Sequence, residues 1–161
     1  MKRCCASILV LSLICGCGYT TIARTPPNVH TIYVPVFDNR TFRRGSEFDL
    51  TRAIKTEILH KSDLRIASRH RADSELIGEI VEIDESVLLE DLNDDIVASG
   101  VTVTVNIVWR DLRTGRTLLD IKGVSDGAQF IVLRGENVGS ATEEAFRDLA
   151  EQIVRLLEKD W

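Results

Sequence analysis

The sequence predicts an α+β fold, a two-layer sandwich with two helices packed on one face of a mixed, mainly antiparallel sheet of about four strands. Three observations lead there. Val101, Val103, Val105, Ile107 and Trp109 alternate with Thr102, Thr104, Asn106 and Arg110, the period of a strand with one buried face. Leu50, Ile54 and Ile58 recur at helical spacing, and Val138, Ala145, Leu149, Ile153 and Leu156 do so again near the C-terminus. The element order is strand, helix, several strands, helix, which suits one sheet covered by two helices.

The chain opens on a leader. Lys2 and Arg3 precede an apolar run from Ala6 to Ile14, a charged segment followed by the short apolar core of a secretory signal. A bilayer-spanning helix needs about 20 apolar residues, more than this run supplies. Gly16 stands directly before Cys17, the arrangement of a lipobox, so Cys17 is expected to carry lipid and become the first mature residue. Residues 1–16 then form the signal peptide, 17–29 a lipidated tether rich in Thr with Pro26-Pro27, and 30–161 a single domain. Cys4, Cys5 and Cys15 leave with the leader, which excludes an intramolecular disulfide and leaves stability to packing.

Thr31 to Phe37 is β-rich, with Ile32, Val34 and Val36 expected on one face and Pro35 demanding an edge position or a bulge. Asp38-Asn39 turns the chain. A helix begins at Ser46, read as N-cap, and ends near Lys61-Ser62. Phe48 and Leu59 widen its apolar stripe, while Arg52, Thr56 and His60 point away. Leu64 to Ser68 is a short strand. From Ser74 to Leu89 the alternation changes parity between Leu76/Ile80 and Val81/Ile83/Val87, which predicts a bulge at Ile80-Val81. Glu90 to Asp95 is an acidic connection. Asp111 to Gly115 makes a tight hairpin, and Leu118 to Val124 runs back along its partner. Asp126 to Gly139 reads as irregular, with a short strand at Phe130 to Leu133. The last helix opens on a capping box, Ser140 to Glu143, and exposes Arg147, Asp148, Glu151, Arg155 and Glu158.

Charge narrows the function. With Lys2 and Arg3 lost, 18 of the 20 basic residues face 25 acidic ones, so the formal charge moves from −5 to −7. An acidic domain is unsuited to general nucleic-acid binding, and attachment to the membrane falls to the lipid anchor. His30, His60 and His70 sit in separate segments, without the short spacings of a metal site. Asp91-x-Asn93-x-Asp95 begins like a calcium loop, but Ile96 and Thr102 stand where its glycine and bidentate glutamate belong. The carboxylates Asp84/Glu85 and Glu90/Asp91 have no accompanying base. No nucleophile motif, phosphate loop or cofactor motif is present, so the reading is of a protein that is not an enzyme and takes no cofactor. Two basic groups stand out: Arg40, Arg43 and Arg44, and then Arg65, Arg69, His70 and Arg71. Arg43 and Arg44 are the candidate anion contacts, because they directly precede a helix N-terminus.

Cys17-Gly18-Tyr19 after the lipobox, Ile32 to Asn39, Phe48 to Ile54, Ala72 to Gly78, and the Val-rich strand ending Trp109 to Gly115 follow one another in this order. Together they resemble the LptE family of lipopolysaccharide-assembly lipoproteins. The resemblance implies an outer-membrane, lipid-anchored and non-enzymatic protein that plugs the LptD-type β-barrel and helps deliver lipopolysaccharide to the outer leaflet. Lipopolysaccharide itself is a possible ligand. No ligand residue carries over from the family by position. The alternative is a regulator of a cell-wall synthase with an LpoB/CsgG-like domain, which shares the Val-Pro-Val-Phe-Asp-Asn type of first strand. The short tether, reaching roughly 40 Å at full stretch, favours the former.

Overall fold

β5 (Ile96–Asp111) is the spine of the sheet in the computed structural model, and the alternation that predicted it is borne out. Val101, Val103, Val105, Ile107 and Trp109 are all buried. Residues 26, 28–90, 96–131, 134 and 136–158 are described. The leader, Cys17, nearly all of the tether, the connection 91–95, and Val132 and Leu133 of the expected short strand lie outside them.

β5 pairs antiparallel with β4 (Ser74–Glu90) on one side and β6 (Thr117–Ile131) on the other. β1 (Thr31–Tyr33), β2 (Asp38–Asn39) and β3 (Arg65–Ile66) complete a six-stranded sheet of order β3-β1-β4-β5-β6, with β2 beside β4. The mixed character is as expected. The count of about four is corrected, because three pieces of two or three residues flank the three long strands.

β1 and β2 are one strand interrupted at Pro35. Both run parallel to β4, matching Ile32 to Ser74 and Tyr33 to Glu75, then Asp38 to Glu79 and Asn39 to Ile80. The chain takes one residue more than β4 over the same distance, and the extra residue falls where Pro35 has no N–H to give a ladder. The insertion flips the pattern: Val34 and Phe37 are buried, whereas Val36 is exposed, against the expected shared face. Asp38-Asn39 is therefore strand rather than turn.

The bulge in β4 lies where the parity change placed it, with the register to β5 shifting between Ile80 and Glu82. The turn after β5 is built by Asp111, whose Oδ1 accepts from the backbone N–H of Arg113 (2.8 Å) and Thr114 (3.0 Å). Gly115, at φ 70°, closes it. β6 continues through the region expected to be irregular. Gly123 (φ 71°) is absorbed as a bulge, its N–H donating to Asn106 Oδ1 at 3.0 Å, and pairing resumes at Val124.

α1 (Ser46–Lys61) and α2 (Val138–Leu157) cover one face of the sheet. In α2, Leu149, Ile153 and Leu157 are fully buried, each contributing about 1.5–3 kcal/mol by area removed from water. Both starts differ from expectation. Gly45, in a left-handed conformation, is the N-cap of α1, and Ser46 is its first helical residue. Asn137 caps α2 in a capping box with Ser140 as its third residue, so the helix begins before the Ser140–Glu143 box read from sequence. Phe48 and Leu59 are exposed rather than widening the core stripe. Glu158 is partly buried beside Asp63, and burial first, then that carboxylate, push its pKa above the ordinary 4.5.

Asp73 fastens the start of β1 to the start of β4. Its Oδ2 accepts from His30 N (3.1 Å), Thr31 N (3.0 Å) and Thr31 Oγ1 (2.8 Å), and its own N–H donates to Thr31 Oγ1 at 2.8 Å. These bonds, the threonine hydroxyl foremost, hold its carboxyl below the usual 3.8. Arg113 Nη2 donates to Asn28 O at 2.8 Å, so the chain arrives beside the β5–β6 turn.

Candidate functional site

Asn39 organises the loop that carries the predicted arginines. Its Oδ1 accepts from Thr41 N (2.8 Å) and Thr41 Oγ1 (2.7 Å). Its Nδ2 donates to Arg43 O (2.8 Å) and Glu47 Oε2 (2.8 Å). One side chain thereby ties residues 39–47 into a fixed turn, and Phe42 stands wholly exposed upon it.

The same carboxylate fills part of the place expected for an external anion. Glu47 Oε2 accepts from Gly45 N at 3.1 Å, ahead of the first turn of α1. The Asn39 amide, followed by backbone N–H groups and the charge of Arg44, keeps the Glu47 pKa below its ordinary 4.5. Arg43 is paired with Glu85 of β4, and Arg40 with Glu79. Among the described residues, no ion pair holds Arg44.

Arg43 and Arg44 open onto a groove of about 800 Å³ between the two helices. Ser46 and Asp49 of α1 line it together with Gly139 and Thr142 of α2, while Lys61 lies 3.9 Å from Glu151 further along. The helices therefore run in the same direction, and both positive dipole ends lie at one end of the groove. Arg52, His60 and Arg147 add basic groups; Asp49, Glu57 and Glu143 oppose them; Ala53 and Phe146 supply an apolar floor. Asp49 already takes Arg52 at 3.2 Å. Chemically, the cleft can receive an anionic group at its N-terminal end beside an apolar strip.

Sequence reasoning found two of these arginines and missed Arg52 and Arg147. Each was assigned to the polar side of its helix, and only parallel packing of α1 and α2 brings them together. The second basic group lies elsewhere. Arg69 pairs with Glu75 at 3.2 Å, and the Arg71 carbonyl oxygen lies 3.5 Å from Thr31 Oγ1, which places that group at the start of β1. His30 and His70 are also remote from the groove that His60 lines.

Groove, long hairpin and two-layer core define an α+β sandwich domain. A family model described as "LptE: Lipopolysaccharide-assembly" matches residues 29–157. The chain belongs to the LptE family of lipopolysaccharide-assembly lipoproteins of the outer membrane. No curated protein sequence matches it. Solved structures share the fold at low identity. The hypothetical protein CT253 from Chlamydia trachomatis is 11% identical with a TM-score of 0.57, covering 82% of this chain and 99% of that one. Uncharacterized lipoprotein B from Nitrosomonas europaea is 10% identical with a TM-score of 0.58, covering 85% and 86%. The rare lipoprotein B from Shewanella oneidensis is 10% identical with a TM-score of 0.54, covering 80% and 93%.

Proposed function

We propose that the chain is a non-enzymatic lipoprotein, anchored through lipid on Cys17 after removal of residues 1–16, whose domain seats in the lumen of an LptD-type β-barrel. There it supports delivery of lipopolysaccharide to the outer leaflet. The observation that carries this reading is the family match, which runs through nearly the whole folded domain.

Three physical features support it. The described chain begins at Pro26, beside the β5–β6 turn, so the tether from Cys17 keeps that end of the sheet within about 30 Å of the membrane. The outward residues of α2 include Glu143, Glu144, Arg147, Asp148 and Arg155, a wet surface of mixed sign that matches a polar barrel interior. Two layers of secondary structure also need a wide lumen, hence a barrel of about 20 or more strands. Within this reading, Arg43 and Arg44 remain the candidate contacts for lipopolysaccharide phosphates, with Arg52 further along on α1 and Arg147 on the opposite wall of the groove.

Depletion of the lipoprotein tests the proposal. The folded, heat-modifiable form of the barrel should fall as the lipoprotein falls, and lipopolysaccharide should accumulate short of the cell surface. Normal barrel folding and normal surface lipopolysaccharide in depleted cells would refute it.

A further inference from the structure

β4 runs on past its parallel partner. β2 ends opposite Ile80, where Arg40 N donates to Ile80 O at 3.0 Å. From Glu82 to Leu89, the only strand beside β4 among the described residues is β5. One side of this stretch therefore turns backbone N–H and C=O groups outward.

Sheet edges are commonly blunted by Pro, by Lys, by bulges or by short length. Glu82-Ile-Asp-Glu-Ser-Val-Leu-Leu89 contains neither proline nor any basic residue, and its register to β5 is regular from Glu82 to Val87, shifting only between Val87 and Leu89. Its last three side chains, Val87, Leu88 and Leu89, are 51%, 47% and 57% exposed. The opposite edge is interrupted in mid-strand. β6 carries the Gly123 bulge beside Lys122, and the Asp126 carboxylate takes up the N–H of Gly127 at 2.8 Å.

Charge states what the open edge would accept. Glu82 and Asp84 lie opposite Thr104 and Thr102, on the sheet face away from the core-forming Val105 and Val103. Ile83, Glu85 and Val87 share the other face. Glu85 is neutralised by Arg43, whereas no ion pair among the described residues holds Glu82 or Asp84. A strand laid along this edge meets two free carboxylates on one face and apolar side chains on the other. Two copies joined edge to edge would instead set carboxylates against carboxylates, which is unfavourable. The Arg43–Glu85 pair also holds the loop that carries the exposed Phe42 to β4.

We propose that the β4 edge from Glu82 to Leu89 is a strand-addition site. Its occupant is an extended segment of another protein whose side chains alternate apolar and basic. Main-chain hydrogen bonds supply the attachment, and Glu82 and Asp84 select the basic residues.

The test uses the full lipidated protein in detergent micelles. One probe is an end-blocked peptide of about eight residues alternating Val and Lys; the other alternates Val and Glu. Amide hydrogen exchange is read residue by residue. The Val–Lys peptide should slow exchange within 82–89 by about tenfold or more and leave the β6 edge unchanged. The Val–Glu peptide should not. Glu82→Lys/Asp84→Lys, on the solvent face, should reverse this preference at an unchanged melting temperature. The inference is overturned by equal effects of both peptides, by no slowing with Val–Lys, or by protection on β6 instead. Protection of 82–89 with a doubled particle mass and no peptide would make the occupant a second copy and likewise overturn it.

Discussion

Replacing Gly78 by Ala probes the joint between the first strand and the sheet. Gly78 lies on the core side of β4, opposite Ile107, and its φ is not positive. A methyl group there is compatible with the backbone. Without a clash, Gly→Ala would stabilise by about 0.4–1 kcal/mol through the unfolded chain. A Cβ on Gly78 would, however, fall within the ring of Phe37. That ring is 2% exposed, and Phe37 N donates to Thr51 Oγ1 at 3.0 Å. Thr51 is itself tied to Glu47 O at 2.6 Å, so the ring cannot withdraw without dragging the Pro35 segment off α1. Overpacking of this kind costs about 2–3 kcal/mol. At about 4 °C per kcal/mol for a domain of this size, the melting temperature should fall by about 8–12 °C. Thermal denaturation followed by circular dichroism measures it. Phe37→Leu in the same chain should relieve part of the cost, giving non-additivity of about 1 kcal/mol or more. A melting temperature within about 2 °C of wild type, or strict additivity, would refute the packing argument.

Asp73→Ala should cost about 2–4 kcal/mol, since it removes the acceptor for His30 N, Thr31 N and the Thr31 hydroxyl; chemical denaturation reads this. The pH dependence has two signs. Asp73 and Asp111 have depressed pKa values, so their stability is present above the ordinary 3.8 and lost as pH falls through their folded values. Glu158 is raised above 4.5, so the folded state gains as pH falls through its folded value, and Glu158→Gln should remove that gain in a pH series of melting curves. Cys17→Ser should leave a protein that no longer partitions with membranes after a carbonate wash. Arg43→Ala/Arg44→Ala should weaken binding of purified lipopolysaccharide several-fold, most of it through Arg44, because Arg43 is held by Glu85; equal affinity would remove both from the site.

The legible parts of the fold were those set by local periodicity. β5 announced itself because one face is buried along its length, and the β4 bulge because an inserted residue changes parity. Other features depended on partners distant in sequence. Val36 turned outward because Pro35 sits where the chain must slip past β4, and only the pairing with Glu79 and Ile80 shows that slip. β6 was expected to end at Val124 because Ser125 to Gln129 carries no apolar alternation, and only the pairing of those residues with Thr104 to Gly100 shows that the strand continues. Both helix starts were misplaced by Ser46 and Ser140, good capping residues that here lie just inside. At the site, Arg43 and Arg44 were visible as a cluster in one loop. Arg52 and Arg147 belong to different helices, so no spacing could join them.

The central claim is that this domain works inside a wide outer-membrane barrel. Its most direct measurement is purification of the lipidated protein from native membranes in mild detergent, followed by size analysis and mass spectrometry of the intact particle. The account predicts a stable one-to-one complex with a β-barrel of about 20 or more strands, in which most of the domain resists protease. Recovery of the lipoprotein only as a monomer, or with an inner-membrane cell-wall synthase in place of the barrel, would contradict it.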